Sequence, residues 1–292
     1  QPMTTPSDLP QPIIDLYDEY THAPLDRRVF LKQLASLAGS SAAAYALLPL
    51  LENNYAHAAL VPESDPRLRT QSIEFAGPKN QLKGYLAQPA AKGKRGSVLV
   101  IHENRGLNPH IRDVARRAAL AGYNALALDF LSPLSGTPDN EDTAREWFSK
   151  LNRAETPNNG MAALAYLKTL PESNGRTGAV GFCWGGGMVN HLAVFEPDLD
   201  AAVCFYGMAP EPALVPQIKA RVMLHYAGQD ERINAGRAGY EAAMKAADIR
   251  FESFLYDGKQ HAFHNDTNTA RYDKAAADLA WTRMLGLFSK TL

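Results

Sequence analysis

Three side chains that lie far apart in the chain, Cys183, Asp230 and His261, have the types and the order needed for nucleophilic catalysis. Cys183 is the centre of the run Gly181-Phe-Cys-Trp-Gly185, which has the glycine-x-nucleophile-x-glycine form of a sharp turn between a strand and a helix. At such a turn, the positive N-terminus of the helix favours a thiolate. His261 would accept the thiol proton and pass it to a leaving group, while Asp230 would fix the tautomer of the imidazole. These residue types predict attack of a thiolate on an acyl carbon.

Each of these roles has a competing interpretation. Cys183 could be a small buried residue beside a glycine-rich turn, as free cysteines often are. Glu231 is the neighbouring alternative for the acid, and His264, taken as an exposed loop residue, is the rival base. The second cysteine, Cys204, lies in the apolar run Ala-Val-Cys-Phe-Tyr and is predicted to be a core residue. A bridge between the two cysteines would silence the nucleophile.

Stabilisation of an oxyanion requires two N–H donors near the nucleophile. The backbone N–H of Trp184 is one expected donor, and the other should come from the loop after the first buried strand. In that loop, Ile101-His-Glu-Asn-Arg-Gly106, Asn104 is the best placed donor. Glu103 puts a charge at the end of an apolar strand, so it either is a solvated loop residue or contacts the thiol. Arg105 could serve an anionic substrate or be an exposed loop arginine.

A parallel sheet must bring these residues together. Short apolar runs that alternate with helical patterns predict an α/β fold with a mostly parallel sheet and helices on both faces. Ligands of such sheets bind at the carboxyl ends of the strands, which is where the candidate residues lie. The predicted strands cover residues 71–75, 82–88, 97–103, 123–130, 177–182, 201–206, 221–226 and 250–256.

The N-terminal residues have two interpretations. Arg27-Arg28, the uncharged stretch 33–51 and Ala56-His57-Ala58, after a native start at Met3, resemble a twin-arginine export signal and would place the protein in the periplasm. The alternative is a retained amphipathic helix docked on the core of a cytoplasmic protein, with its apolar face formed by Leu31, Leu34, Leu37 and Ala38. Small and polar residues in the stretch argue against a permanent membrane span.

Composition predicts one large domain with an appendage. With 292 residues, 46% of them hydrophobic, we expect an extension over residues 1–60 and a catalytic domain over 61–292. A net charge of −1, with no basic block, makes nucleic acid an unsuitable partner. The 2 cysteines occur in no paired spacing, so neither a metal site nor a cofactor is expected. The expected partner is a small molecule, and the extension could support a homo-oligomer.

The residues from about 70 to 290 resemble the dienelactone hydrolase family. The motifs are the glutamate of HENRGLNP at a strand end, the elbow GFCWGGG, the turn Gly-Gln-Asp230 and the closing HAFHND. They are most similar to an uncharacterised branch of the family with an N-terminal extension. The resemblance implies an α/β-hydrolase fold and a triad of Cys183, Asp230 and His261. It also implies that Glu103 accepts the proton of the resting thiol and that Trp184 and Asn104 are the oxyanion donors.

The resemblance also bears on the substrate. In the family enzyme that opens dienelactone, two arginines bind the substrate carboxylate, one of them four residues beyond the histidine, where this chain has Asn265. Arg145 could match the other arginine. The implied function is cysteine-dependent hydrolysis of small esters or lactones through a thioester, without a cofactor. The alternative is a non-catalytic binding or scaffold protein that retains the hydrolase fold.

Overall fold

Eight strands form one sheet in the residues that the computed structural model describes, 9–56 and 59–292. In chain order they are β1 (Leu68–Ala76), β2 (Gln81–Pro89), β3 (Arg95–Ile101), β4 (Asn124–Asp129), β5 (Ser173–Phe182), β6 (Ala201–Phe205), β7 (Arg221–Gln229) and β8 (Phe251–Gln260). Their order in the sheet is β1-β2-β4-β3-β5-β6-β7-β8. The pairs β1–β2 and β2–β4 are antiparallel, and all other neighbouring pairs are parallel.

Helices cover both faces of the sheet. They are α4 (Pro109–Leu120), α5 (Glu141–Phe148), α6 (Thr156–Thr169), α7 (Trp184–Phe195), α8 (Glu231–Asn234), α9 (Arg237–Ala246) and α10 (Lys274–Thr291). Side chains of β3 alternate between two cores, as the period of a strand requires. Val98 and Val100 pack in one core with α4 and α10, whereas Leu99 and Ile101 pack in the other with α6 and α7. The predicted α/β fold with a mostly parallel sheet is confirmed.

Each predicted strand is present, and the errors concern the strand ends. The predicted strand 97–103 ends at Ile101, so Glu103 belongs to the following loop. The predicted strand 177–182 begins earlier, at Ser173. Residues 173–176 are mostly polar and show no apolar pattern, so the sequence gives no sign of a strand there. They belong to β5 because Ser173 pairs with Arg95 of β3.

Three helices form the N-terminal arm, by which we mean residues 9–56. They are α1 (Gln11–His22), α2 (Arg27–Ala38) and α3 (Ser41–Leu51). They pack around a separate apolar cluster that includes Tyr17, Tyr20, Phe30 and Leu34. The predicted apolar face of α2 is partly wrong, because Leu34 is buried but Leu37 is 49% exposed.

The arm has consequences for the interpretations of the N-terminal sequence. No single described helix is long and apolar enough to cross a membrane; α2 and α3 together pass that test by length and composition, but they are bent by 108°. Met3 and the Ala56-His57-Ala58 site fall wholly or partly on residues 1–8 and 57–58, which lie outside the described residues. The export signal and association through the arm therefore stay predictions.

Candidate active site

The turn between β5 and α7 holds Cys183 in a strained backbone conformation. Its φ is 58° and its ψ is −117°, a region that non-glycine residues rarely adopt. The flanking glycines are required by close packing, because a Cβ on Gly181 would lie 2.0 Å from the carbonyl oxygen of Gly185. A Cβ on Gly185 would lie 2.4 Å from the carbonyl oxygen of Ile101. Strain and close approach together hold the thiol at the carboxyl end of the sheet.

Asp230 and His261 meet at the same edge of the sheet. Asp230 follows β7 and His261 follows β8, and since these strands are parallel neighbours, their ends bring the two residues together. Asp230 Oδ2 lies 2.5 Å from His261 Nδ1, and both side chains are buried. Glu231, the alternative acid, is exposed. The carboxylate that contacts the histidine is therefore that of Asp230.

A second histidine, which the sequence analysis did not select, also reaches the thiol. His22, the last residue of α1, has its Nε2 3.2 Å from Cys183 Sγ. Its Nδ1 lies 2.8 Å from the carbonyl oxygen of Asp18, one turn earlier on the same helix. The rings of His22 and His261 meet edge to face, with centroids 4.7 Å apart. One ring nitrogen of each histidine and Cys183 Sγ lie within 4.8 Å of one another.

The two cysteines differ in their electrostatic surroundings. Burial alone raises the pKa of Cys183, but the charges of His22 and His261 more than offset burial and lower that pKa from 9.0 to about 6. Burial lowers the pKa of His261, but Asp230 and the Cys183 thiolate together raise it well above its usual value. Within residues 9–56 and 59–292 no histidine charge acts on Cys204 in this way, and burial raises its pKa to about 12. The surroundings of Cys183 therefore favour a thiolate, and those of Cys204 favour a neutral thiol.

The residues predicted to surround the nucleophile are near it, with one difference. Trp184 begins α7 directly after Cys183, and the Asn104 side chain donates to the carbonyl oxygen of Thr21 at 2.6 Å. Glu103 is buried, and its Oε1 has no hydrogen-bond partner among the described residues. In this structure the group within hydrogen-bond distance of the thiol is therefore His22, and not the predicted Glu103.

Two of the predicted substrate-binding residues lie elsewhere. The Arg145 guanidinium lies 4.3 Å from the centre of the Tyr20 ring and is not among the residues that line the cavity at Cys183. Asn265 is fully buried, and its Oδ1 accepts hydrogen bonds from the backbone and hydroxyl of Thr267. Neither residue is among those that line the cavity at Cys183, so binding of substrate by Arg145 or Asn265 stays a prediction.

Two arginines do line the cavity. Arg105 is buried rather than exposed, with its Nη1 3.7 Å from carboxylate oxygens of both Glu141 and Asp142. Arg271, which the sequence analysis missed, is also buried; its Nη1 donates to Asp18 Oδ1 at 3.2 Å. Its Nε has no partner among the described residues. No spacing in the sequence singles out Arg271.

The cavity at Cys183 is almost filled by the arm. Its walls include Tyr17, Thr21 and His22 of α1, together with Asn53. The space open to the centre of a water molecule is about 10 Å³, roughly what one water needs. A larger cleft of about 180 Å³, at residues 78–80 and 150–159, contains none of the nucleophile, acid or base.

His264 does not have the position that the sequence analysis assigned to it. It is buried, and its ring stacks between Phe182 and Trp281, with centroids 5.0 and 5.7 Å away. Burial and nearby positive groups lower its pKa well below the usual value. The expectation of an exposed loop residue was wrong, because aromatic stacking draws the ring inward.

Comparisons with known proteins identify families and relatives that this chain is similar to. The sequence profile of the dienelactone hydrolase family matches residues 82–292, and a profile described as YqhI-like matches residues 1–39. "Putative hydrolase fragment YghX" of Escherichia coli is 50% identical over 106 residues, which are 35% of this chain and 91% of that protein. "Putative carboxymethylenebutenolidase" of Synechocystis is 31% identical over 243 residues, 77% of this chain and 98% of that protein. The crystal structure of a "Putative Dienelactone Hydrolase" from Klebsiella pneumoniae is similar with a TM-score of 0.70 and 26% identity, covering 76% of this chain and 99% of that one.

Proposed function

We propose, from the premise that this chain belongs to the dienelactone hydrolase family and is a carboxylic ester or lactone hydrolase, that Cys183 is its nucleophile and that catalysis passes through a thioester. One observation carries the proposal: an Asp230–His261 pair lies beside a thiol on a strained elbow. The arrangement has the nucleophile, base and orienting group that covalent acyl transfer requires. A shell without catalysis would not need the strain at Cys183.

The chemical course follows from these positions. The Cys183 thiolate attacks the carbonyl carbon, a C–S bond forms and the carbonyl electrons move to oxygen. Backbone N–H groups of Trp184 and Asn104 stabilise that oxyanion. When the tetrahedral intermediate collapses, the C–O bond breaks and His261 gives its proton to the leaving oxygen. Water then loses a proton to His261, attacks the thioester carbon and releases the acid and the thiolate.

The position of the arm makes the described structure a closed resting state. Three residues of α1 contact groups that line the site: Asp18 binds Arg271, the carbonyl oxygen of Thr21 accepts a hydrogen bond from the Asn104 side chain, and His22 contacts the thiol. The remaining space suits one water. An ester can therefore reach the thiol only when α1 moves aside.

The two ends of the arm differ in how they are attached. The end of α3 is joined to the loop after His261 by hydrogen bonds that involve backbone atoms, from Asn54 N to Thr267 O at 2.8 Å and from Ala270 N to Leu50 O at 3.1 Å. The His22 end of α1 is held to the domain by contacts in which the domain supplies side chains. We infer that α1 swings while α3 stays bound.

The two buried arginines favour a substrate with a carboxylate. Arg105 and Arg271 line the cavity with Cys183, and movement of α1 removes Asp18 from Arg271. A guanidinium freed from its carboxylate in a buried site strongly favours another anion. These arginines would bind the substrate carboxylate, which Asn265 has no charge to do. Matched pairs of esters with and without a carboxylate test this, and Arg271→Gln should remove any preference for the charged member.

The direct test of the nucleophile compares the two cysteines. We expect Cys183→Ala to lower kcat/KM for an activated ester by at least about 10³-fold, because the covalent route is lost. Cys204→Ala, the matched control, should retain most of the activity. Equal hydrolysis by wild type and Cys183→Ala would refute the cysteine mechanism. If wild type hydrolyses neither the activated ester nor any of the matched esters, the non-catalytic alternative is favoured.

A further inference from the structure

Three groups of the kind that bind thiophilic metals meet at the elbow, although they lie far apart in the sequence. A ring nitrogen of His22, Cys183 Sγ and a ring nitrogen of His261 are within 4.8 Å of one another. Bonds of about 2.3 Å to sulfur and 2.0–2.1 Å to nitrogen in a tetrahedral zinc site place the ligand atoms roughly 3.3–3.6 Å apart. His22 Nε2 is already 3.2 Å from Sγ. The two distances to the His261 nitrogen, each at most 4.8 Å, would have to reach that range on binding.

The hydrogen bonds behind the two rings fit metal ligation. A histidine that binds a metal usually donates its other ring N–H to a carboxylate or a backbone carbonyl. His261 Nδ1 lies 2.5 Å from Asp230 Oδ2, and His22 Nδ1 lies 2.8 Å from the carbonyl oxygen of Asp18. Because Nδ1 of each ring is engaged in this way, Nε2 is the ring nitrogen that is left for a cation bound to Cys183 Sγ. His261 Nε2 is buried and has no hydrogen-bond partner among the described residues.

We propose that His22 Nε2, Cys183 Sγ and His261 Nε2 form a binding site for a thiophilic divalent cation, with Zn²⁺ as the probe, and that the bound cation arrests the nucleophile. On binding, a Zn–S bond forms, and the single proton that the Cys183–His261 pair holds, on Sγ or on Nε2, passes to solvent so that both atoms can bind the cation. Each imidazole supplies a lone pair, and the cavity has room for one water as a fourth ligand. Arrest of hydrolysis rests on the proposed function, because the cation would hold both the thiolate and the lone pair of His261.

The charges around the three ligands favour a cation on balance. Glu103 lines the cavity with a buried oxygen that has no hydrogen-bond partner among the described residues. The carboxylates of Asp18 and Asp230 lie behind the two rings. The opposing charges are those of Arg105, which faces Glu141 and Asp142, and of Arg271, which shares the Asp18 carboxylate with His22. A divalent cation that has bound one thiolate therefore meets acceptors that can balance its remaining charge.

The arm is necessary for this site. The parallel sheet alone supplies Cys183 and His261, whereas a stable site of this kind needs at least three protein ligands. His22 supplies the third only while α1 is docked. A cation bound here would therefore also hold the arm closed.

The test uses the full chain, stripped of metal by a chelator and titrated with Co²⁺ and then Zn²⁺. Co²⁺ bound to a thiolate gives a charge-transfer absorption band, so binding is observed without turnover. We expect the band in wild type, its loss in Cys183→Ala, and displacement of Co²⁺ by Zn²⁺. His22→Ala and His22→Gln should each lower the affinity for Zn²⁺ by at least about tenfold, since even loss of a residue behind a ligand has an effect of 10- to 100-fold. His191→Ala is the control, because that ring packs on Phe195 of α7 and should leave the affinity unchanged.

Either of two results would overturn the proposal: a band that persists in Cys183→Ala, or equal Zn²⁺ affinity in wild type and both His22 variants. The readout also separates this proposal from the proposed function. If hydrolysis survives Cys183→Ala while the band still requires Cys183 and His22, the cysteine mechanism fails and the metal site stands. If Zn²⁺ binds but leaves hydrolysis unchanged, arrest of the nucleophile is wrong.

Discussion

His22 and His261 both reach Cys183, but different forces hold the parts of the molecule that carry them. His261 follows β8, whose backbone is bonded to β7 across most of its length. His22 ends α1, which is held to the hydrolase domain there by side chains such as Cys183, Asn104 and Arg271. One histidine is thus part of the sheet, and the other is brought by a separate layer.

The partners of the two rings show the same difference. His261 is bound to the Asp230 carboxylate, and the two side chains are 3% and 1% exposed. His22 is bound chiefly to the backbone carbonyl of Asp18, and its side chain is 13% exposed. A buried carboxylate can stabilise an imidazolium through a catalytic cycle. We infer that His261 is the permanent base and that His22 is a partner of the resting thiol only.

The largest expected effect is the difference in catalytic activity between the variants that lack His261 and His22. We expect His261→Ala to lower kcat/KM for an activated ester by at least about 10³-fold, because general acid–base catalysis and thiolate pairing are both lost. His22→Ala should keep at least wild-type activity, since it opens the cavity. Steady-state kinetics in the presence of a chelator make the comparison. A loss of similar size in both variants would mean that the two histidines share the catalytic role.

The arm can be loosened without changing the active site. Phe30 is fully buried in the apolar cluster of the arm and stacks on Tyr20 at 4.3 Å. Phe30→Ala should weaken that cluster by about 3–5 kcal/mol. We expect faster amide hydrogen exchange in α1 and a higher kcat/KM for bulky esters, while exchange in β3–β8 stays slow. Leu37→Ala changes an exposed residue of the same arm and is the control; equal exchange in both variants would show that the arm is not a separate layer.

The pH dependence of the thiol separates the two histidines further. Because the pKa of Cys183 is lowered from 9.0 to about 6, the thiolate is present above that pH and is lost as pH falls through it. Iodoacetamide labelling, mapped to the Cys183 peptide with chelator present, should therefore reach half its maximum rate near pH 6. Both His22→Ala and His261→Ala should shift the midpoint upward. A wild-type midpoint near the usual cysteine value of about 8.5 would contradict the charge pairing.

The smallest effect concerns the surface charges between the arm and the domain. Arg27 Nη1 lies 3.1 Å from Asp142 Oδ2, with side chains that are 44% and 32% exposed. Such pairs contribute about 0–1 kcal/mol. We therefore expect Arg27→Ala to change the urea midpoint only slightly and to leave arm exchange close to that of wild type. Complete release of α1 in this variant would mean that ion pairs, rather than the apolar cluster, hold the arm to the domain.

The sheet and the elbow could be predicted because their signals are local. Buried parallel strands read as apolar runs, and the glycines at 181 and 185 are demanded by backbone contacts that a Cβ would violate. The order of Cys183, Asp230 and His261 then followed from the topology of strand ends. These features depend on residues near each other in the chain or on a regular sheet.

The arm could not be predicted in the same way. The buried residues of α1, such as Ile14 and Tyr17, are interspersed with Asp15, Asp18 and Glu19, so the segment reads as an acidic leader. His22 reaches Cys183 only through docking of one layer on another, for which a single sequence has no period or spacing. The contact of Arg145 with the arm is of the same kind, because the Tyr20 ring lies against its guanidinium.

The most direct measurement of the central claim is the mass of the protein after a brief reaction with an activated ester, followed by peptide mapping. The mechanism predicts one added acyl group, located on the Cys183 peptide, that disappears on incubation and is released by hydroxylamine, as a thioester is. It should be absent from Cys183→Ala and present in Cys204→Ala. Turnover of the ester with the acyl group on another residue, or turnover of equal rate in Cys183→Ala, would contradict the account.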